Sequence, residues 1–255
     1  MTRLAIVGGA GRMGQALAEG LAARGHTIVA LVDRGEPAAL FGAVHLDALE
    51  ALEPGSVSAV VDFSSPEGVL ASARWCCAHR VPLVVGTTGL AEGERRALEA
   101  TAREVGVVVA ANFALGAVLV ERFAALAAPY FERVEVIELH HDRKADAPSG
   151  TALATARALA AARAAAGRPA MRDPTTRETL AHARGAEGPE GVRIHAVRLP
   201  GLVAHEEVLF GSPGEGLTLR HDSYDRQSFV AGVALALTKV TSTPGLVEGL
   251  CTLVD

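Results

Sequence analysis

The chain of 255 residues opens on a short apolar run, Leu4 to Gly8, and then a periodic stretch from Gln15 to Arg24 that stops at Gly25. An unbroken apolar run suits a strand buried on both faces, and a 3.6-residue period suits a helix lying across it. The unit then repeats. Thr27 to Val32 reads as a second strand, a helix is expected around Leu46 to Leu52, and Val57 to Phe63 reads as a third strand. Ser64-Ser65-Pro66 opens a helix that runs to about His79. A serine oxygen accepts from the first-turn N–H groups, and proline's fixed φ suits the first helical position. Pro82 to Val85, a helix from Ala91 to Val105 and strand Val107 to Ala111 continue the series. Strands alternating with helices predict a doubly wound parallel sheet, the Rossmann-type α/β arrangement.

The pattern changes after Asn112. Leu115 to Phe131 is an amphipathic helix. Strand 133 to 141 alternates, with Val134, Val136 and Glu138 on one face and Glu135, Ile137 and Leu139 on the other. An Ala-rich helix spans 150 to 166, and residues 168 to 191, rich in Arg, Glu, Gly and Pro, read as a loop or arm. Three strand-like runs follow, Val192 to Leu199, Glu206 to Phe210 and Leu217 to His221, with turns at Pro200-Gly201 and Ser212-Pro213-Gly214. Strands in succession predict a mixed or antiparallel sheet, hence a second, α+β domain. A helix from Gln227 to Lys239 comes next, and Pro244-Gly245-Leu246 is expected to introduce a short terminal helix.

Composition narrows the class. At 49% hydrophobic and 21% charged residues the chain is globular, and a net charge of −5 argues against nucleic-acid partners. No run approaches the roughly 18 to 20 apolar residues of a membrane helix, and Met1-Thr2-Arg3-Leu4 leads straight into a strand, so a cytoplasmic protein is expected. Cys76, Cys77 and Cys251 are odd in number and lack metal-type spacing, which suits small core side chains in a reducing compartment.

Two stretches carry chemistry. The first is Gly9-x-Gly11-x-x-Gly14 between strand and helix, with Asp33 nineteen residues after Gly14 at the end of the second strand. That spacing is close to the ~20 expected of a dinucleotide fingerprint, in which glycines admit a pyrophosphate to a helix N-terminus and the acid holds a ribose 2′-OH. The candidates are Gly8, Gly9, Ala10, Gly11, Arg12, Met13, Gly14 and Asp33. Arg34 either pairs with a 2′-phosphate or is a solvated loop charge. The Asp33-Arg34 pair is thus compatible with NADH and with NADPH. Each strand ends in small or polar residues that suit a nucleotide, including Phe63, Gly86-Thr87-Thr88 and Ala110-Ala111-Asn112-Phe113.

The second stretch is Glu138-Leu139-His140-His141-Asp142-Arg143-Lys144-Ala145-Asp146-Ala147-Pro148-Ser149-Gly150-Thr151-Ala152. A charged surface turn would share its composition. The order distinguishes it: a strand, paired histidines, Lys144, then Ser149 capping a helix whose N-terminus favours an anion. Cations beside that N-terminus suit a small dianion, with imidazoles at hand for proton transfer. Two adjacent histidines without a third partner are not a zinc site, and no metal is implied.

Glu138-x-His140-His141-x-x-Lys144-x-Asp146-x-Pro148-Ser149-Gly150-Thr151-Ala152 resembles the signature of the 4-hydroxy-tetrahydrodipicolinate (dihydrodipicolinate) reductase family of the lysine and diaminopimelate pathway. The likeness covers nearly the whole chain and includes Arg198…His205-x-x-Val208-x-Phe210 and His221…Ser223…Arg226…Phe229…Gly232. It departs at Ala204, where the pattern has glycine, and at Leu199-Pro200, where it reads Arg-x-Gly. Those positions lie in the sheet that builds the family's tetramer. The resemblance implies NADH- or NADPH-dependent reduction with loss of water. It makes His140 the proton donor/acceptor and Lys144 the second proton donor. His141, Ser149, Gly150 and Thr151 would contact a dicarboxylate substrate, and the segments at 86–88 and 110–113 would meet the nicotinamide and its ribose. It implies a homotetramer, and a discontinuous nucleotide domain of residues 1–111 and 227–255 flanking a substrate-binding domain of 112–226, with a hinge that closes on the ternary complex. His205 and His221 are expected to be structural. The alternatives are another nicotinamide oxidoreductase, which would need a different loop in place of His140 to Thr151, and a non-catalytic cofactor sensor, which should lack His140 and Lys144.

Overall fold

A computed structural model describes residues 1–242 and 245–254. In chain order the first elements are β1 (Arg3–Val7), α1 (Arg12–Ala23), β2 (Thr27–Val32), β3 (Val44–Leu46), β4 (Ala59–Asp62), α2 (Pro66–His79), β5 (Leu83–Val85), α3 (Glu92–Ala102) and β6 (Gly106–Val109). There follow α4 (Leu115–Ala127), β7 (Arg133–His140), α5 (Gly150–Ala165), β8 (Ala186–Glu187), β9 (Arg193–Arg198), β10 (Ala204–Ser212), β11 (Glu215–Ser223), α6 (Val230–Val240) and β12 (Gly245–Glu248). The chain divides into two compact units, Met1–Leu115 with Arg226–Asp255, and Gly116–Asp225. The first boundary lies a few residues past 111 because Phe113 and Ala114 are buried in the core of the first unit.

The first unit holds a seven-stranded sheet in the order β12-β6-β5-β4-β1-β2-β3, with every pair parallel. Leu4, Ala5, Ile6, Val60, Leu83 and Val107 have no exposed surface, as strands covered on both faces require. Strand order reverses between β1 and β4, and the crevice at such a reversal is where parallel sheets of this kind bind ligands.

Two expectations fail here. The segment around Leu46 to Leu52 is an added edge strand, β3, and a single 3₁₀ turn at Leu49–Ala51. Leu46 lies on the edge strand, and the turn then places Leu49 and Leu52 in the core of the first unit, so the burial that a helix would supply is met without one. Among the described residues the expected terminal helix is also absent. Pro244 lies outside the described residues, Gly245–Glu248 pairs in parallel with Gly106–Val109, and only a 3₁₀ turn, Cys251–Leu253, follows. Four residues of Gly-Leu-Val-Glu complete a sheet edge more readily than they nucleate a helix.

The second unit is a mixed five-stranded sheet, β11-β10-β7-β9-β8, in which only β7 and β9 run parallel. The inward row of β7 is Val134, Val136 and Glu138, as the alternation predicts, and Val208 and Phe210 lie opposite the first two of these. Helix α5 covers this face with Ala152, Ala156 and Leu159, side chains mostly short enough for close approach. Its buried Arg163 donates to the carbonyls of Ala128 and Phe131 just beyond α4, at 3.0 and 2.7 Å, which neutralises the negative end of that helix.

The arm at 168–191 is irregular apart from β8 and a 3₁₀ turn at Pro189–Gly191. Arg184 anchors it by ion pairs to Glu135 and Asp173. Among the described residues no helix is long and apolar enough to cross a membrane.

Candidate active site

In the first unit the glycine loop has a steric cause. Gly8 adopts φ +82°, and a side-chain carbon there would meet the Phe63 carbonyl oxygen at 2.5 Å. One at Gly14 would meet the Gly8 oxygen at 2.1 Å. The tight β1–α1 turn leaves the start of α1 open, and a cleft of about 690 Å³ runs past it, lined by Gly8, Gly11, Asp33, Arg34 and Phe63. The Asp33 carboxylate accepts from the N–H of Ala10 at 3.0 Å and of Gly35 at 3.1 Å, so it ties the glycine loop to the end of β2. Arg12 and Arg34 are exposed, and Met13 is half-buried.

A second cavity of about 450 Å³ is lined by Thr87, Thr88, Ala110 and Ala111. The Phe63 ring lies against Gly86, and its centroid is 5.4 Å from that of Phe113. The Phe113 side chain has no exposed surface, so it supports Phe63 and leaves only main chain to offer a ligand. Asn112 Oδ1 accepts from the N–H of Ala114 at 2.9 Å and shapes that turn.

Sequence reasoning missed Asp62, which is wholly buried at the end of β4. Its carboxyl gathers the Ser64 hydroxyl at 2.6 Å, the Ser72 hydroxyl at 2.5 Å and the Thr87 hydroxyl at 3.1 Å, and the Ser64 N–H in turn donates to Thr87 at 2.9 Å. The ends of β4 and β5 are thereby locked together. Burial pushes the Asp62 carboxyl above its ordinary range, because the hydroxyl donors only partly offset desolvation.

In the second unit the site grows from the register of β7. Glu138 and His140 share the face under α5, and Arg198 pairs directly with His140 on the neighbouring β9. Glu138 has no exposed surface. It receives His140 Nδ1 at 2.6 Å, both terminal nitrogens of Arg198 at 2.7 Å and the N–H of Ser149 at 3.0 Å. Burial pushes the Glu138 carboxyl up, but the hydrogen bonds from Arg198 and His140, with their charges, prevail and hold it below the usual value. An ionised carboxylate only accepts, so His140 Nδ1 carries its proton toward Glu138 and Nε2 is left for chemistry. Burial also lowers the proton affinity of His140, against the pull of Glu138.

Ser149 caps α5 as expected, its hydroxyl accepting from the N–H of Ala152 at 3.2 Å. Gly150 is exposed, and a side-chain carbon there would meet nothing within 4 Å, so the helix N-terminus is sterically open. Lys144 Nζ donates to both oxygens of Asp146, at 2.7 and 2.9 Å. His141 is half-buried, and its Nδ1 is buried with no hydrogen-bond partner. Thr151 lies in the first turn of α5. The structure thus gathers His140 and Ser149 around Glu138, with Gly150 and Thr151 continuing the helix from Ser149. Lys144 lies in the connecting loop beside Asp146.

The signature contained Glu138, and Arg198 belonged to the wider likeness, yet neither drew a role from sequence. The signal available was Glu138 itself, an acid on the apolar row of an alternating strand, which demands a buried cation. The two departures also fall beside His140. Ala204 lies directly opposite His140 in the ladder, and the N–H of Leu199 donates to the His140 carbonyl at 3.1 Å.

His205 and His221 both lie in the sheet of the second unit. His205 bonds Asp222 through Nδ1 at 2.7 Å and accepts from the N–H of Val203 at 3.2 Å. His221 is half-buried opposite Glu206. Among the described residues no three His, Cys, Asp or Glu side chains converge as a metal would require.

Comparison with known proteins identifies the family of the chain. The sequence model described as "Dihydrodipicolinate reductase, N-terminus" matches residues 2–113, and that described as "Dihydrodipicolinate reductase, C-terminus" matches residues 116–253. The chain is 47% identical to the 4-hydroxy-tetrahydrodipicolinate reductase of Nocardia farcinica over 257 residues, covering 99% of this chain and 98% of that protein. It is 45% identical to that of Corynebacterium urealyticum over 255 residues, covering 98% and 97%. Among solved structures, a dipicolinate-bound dihydrodipicolinate reductase from Paenisporosarcina sp. TG-14 superimposes with a TM-score of 0.87 at 39% identity, covering all of both chains. A myo-inositol dehydrogenase from Corynebacterium glutamicum, with a TM-score of 0.62 at 15% identity, covers 95% of this chain and 89% of that one and shares the fold alone.

Proposed function

The chain belongs to the dihydrodipicolinate reductase family, and from that premise we propose how its own residues carry out the family's reaction, reduction of 4-hydroxy-tetrahydrodipicolinate to tetrahydrodipicolinate with loss of water in lysine and diaminopimelate biosynthesis. The protein is an oxidoreductase with a nucleotide-binding unit of Rossmann type. The observation that carries the residue assignment is the buried Glu138, which fixes the orientation and tautomer of His140 beside the N-terminus of α5.

A reduced nicotinamide supplies the hydride when bound. The glycine loop at 8–14 fits the pyrophosphate of such a group, since side chains there would fill the cradle. Asp33 would hold the adenosine ribose. Phe63, Gly86, Thr87, Thr88 and the backbone of 110–113 form the nicotinamide end. Arg34 would pair with the 2′-phosphate of NADPH, and Arg12 would be a second phosphate ligand, so that both coenzymes would be accepted.

One substrate carboxylate lies at the N–H groups of Gly150 and Thr151, where the helix dipole and the Thr151 hydroxyl favour an anion. Lys144 exchanges Asp146 for the substrate and serves as a point charge and second proton donor. His141 contacts the substrate. His140 is neutral in the free protein at neutral pH, with its Nε2 lone pair open. A bound dianion raises its affinity for a proton, so the same nitrogen can take one during water loss and return one when the hydride is added. The cytoplasm is the expected compartment, and a homotetramer is expected through the second unit's sheet, whose face away from α5 carries the half-buried Ile137, Leu139 and Leu209.

Pyridine-2,6-dicarboxylate should inhibit competitively against substrate. Replacing Thr151 by Val should weaken the inhibitor about tenfold while coenzyme affinity stays unchanged. An inhibitor that competes with coenzyme instead would place the dicarboxylate site elsewhere.

A further inference from the structure

Glu206 is a buried carboxylic acid with no part in the proton and hydride transfers just described. It lies on β10 directly opposite Glu138, on the same face of the sheet, and is 5% exposed. Glu138 therefore has the guanidinium of Arg198 reaching it from β9 on one side and a second carboxyl from β10 on the other. Directly paired side chains in an antiparallel ladder lie about 4.5 to 5.5 Å apart at Cβ. Thr155 of α5 donates to Glu206 Oε1 at 2.7 Å, and Oε2 is buried without a partner. The other titratable groups facing it are Glu121 on α4 and His221, its register partner on β11.

We propose that Glu206 is a positioning residue for the chemistry of the second unit, setting through Glu138 the charge against which His140 gives and takes its proton. This rests on the proton-transfer role of His140. One hydroxyl donor does not solvate a buried carboxylate that also faces Glu138, so Glu206 holds its proton at acid pH. Burial, with Glu121 and Glu138 adding to it against the Thr155 bond, pushes its pKa to about 7. As the pH passes that value, Glu206 becomes a second negative charge beside Glu138 and raises the proton affinity of His140. In the substrate complex, where the bound dianion raises the proton affinity of His140, the donor form therefore persists further into alkaline solution than it would without Glu206.

The test is an NMR titration of the His140 ring, assigned by its absence from His140→Ala, in the full-length wild type, Glu206→Gln and Thr155→Val. The wild type should show a step at the ring's own lowered pKa and a second near 7. The second step should vanish in Glu206→Gln and move to higher pH in Thr155→Val, which loses the one bond favouring the charged acid. On the alkaline side kcat, which reports the substrate complex, should fall at lower pH in Glu206→Gln than in the wild type. A second step that survives in Glu206→Gln, or stays in place in Thr155→Val, overturns the proposal, and so do superimposable pH profiles. Should Glu206→Gln not fold, as judged by circular dichroism, the direction of the shift in Thr155→Val decides. The titration needs no turnover. Normal activity in His140→Ala would therefore sink the proton-transfer role while leaving the Glu206 coupling to be read separately.

Discussion

Asp62 and Glu138 are both carboxylates without exposed surface, one at the edge of the nucleotide loops and one under α5, and their surroundings differ in kind. Asp62 is held by three hydroxyls and a backbone N–H, all neutral. Glu138 is held by a guanidinium, an imidazole and a backbone N–H. Neutral donors leave desolvation dominant and raise the acid's pKa, whereas a close cation reverses the sign. Asp62 is thus a knot that shapes loops. Glu138 is a fixed charge that orients the His140 ring.

The largest effect expected from this contrast is at Glu138. Glu138→Gln should reduce kcat by about 10² to 10⁴-fold, the usual range for a proton-transfer step, because His140 loses the negative charge and one of the two accepting oxygens that fix its tautomer. It should also cost about 3 to 5 kcal/mol of stability, since Arg198 is left beside a neutral amide in a buried setting. Denaturant unfolding alongside steady-state kinetics checks both. A variant with normal rate and normal stability would erase the distinction between the two acids.

A smaller and more selective effect is expected in the first unit. Arg34→Ala should weaken NADPH by about 10- to 100-fold, in line with roughly 1.5 to 3 kcal/mol for a charge-assisted bond, and leave NADH nearly unchanged. Asp33→Ala should favour the reverse, with an added loss from releasing Ala10 and Gly35. Equal effects of Arg34→Ala on the two coenzymes, measured by fluorescence titration, would reduce Arg34 to a general contributor of positive charge.

The smallest effect sharpens the contrast most. Asp62→Asn should cost only about 1 kcal/mol, because the Ser64, Ser72 and Thr87 hydroxyls can turn to accept from an amide. The pH dependence should have opposite signs at the two sites. The folded pKa of Asp62 is raised, so its contribution is complete below the unfolded value of 3.8 and is lost as pH rises through the folded one. That of Glu138 is lowered, so its contribution is present above the unfolded value of 4.5 and is lost as pH falls through the folded one. Stability differences between wild type and each variant, followed from pH 3 to pH 8, should therefore shrink upward for Asp62→Asn and downward for Glu138→Gln. Slopes of the same sign would mean that the two environments are alike.

Much of the fold was legible in the sequence. Apolar runs and glycine turns located β1, β2 and β4 to β6 because strands buried on both faces have one composition. The alternation in β7 put Glu138 on the inner face before any partner was visible. The edge elements escaped detection. β3 and β12 are three and four residues long and owe their conformation to the strands they join rather than to their own period. The site was half legible. His140, Lys144 and the Ser149 cap are local to one stretch of chain, so spacing reveals them. Arg198 and Glu206 reach Glu138 only through pairing of β7 with β9 and β10, and Asp62 acts through Ser72 and Thr87, ten and twenty-five residues away. Such partners follow from register, which a linear pattern does not contain.

The central claim is that the second unit performs proton transfer while the first grips the coenzyme. Single-turnover kinetics and NADH titration on His140→Ala, with Lys144→Ala as companion, test it most directly. The rate of hydride transfer at saturating substrate should drop by about 10² to 10⁴-fold in each, with the NADH Kd within about twofold of wild type. A loss of NADH binding matching the loss of rate would contradict the division of labour and strip both residues of their part in proton transfer.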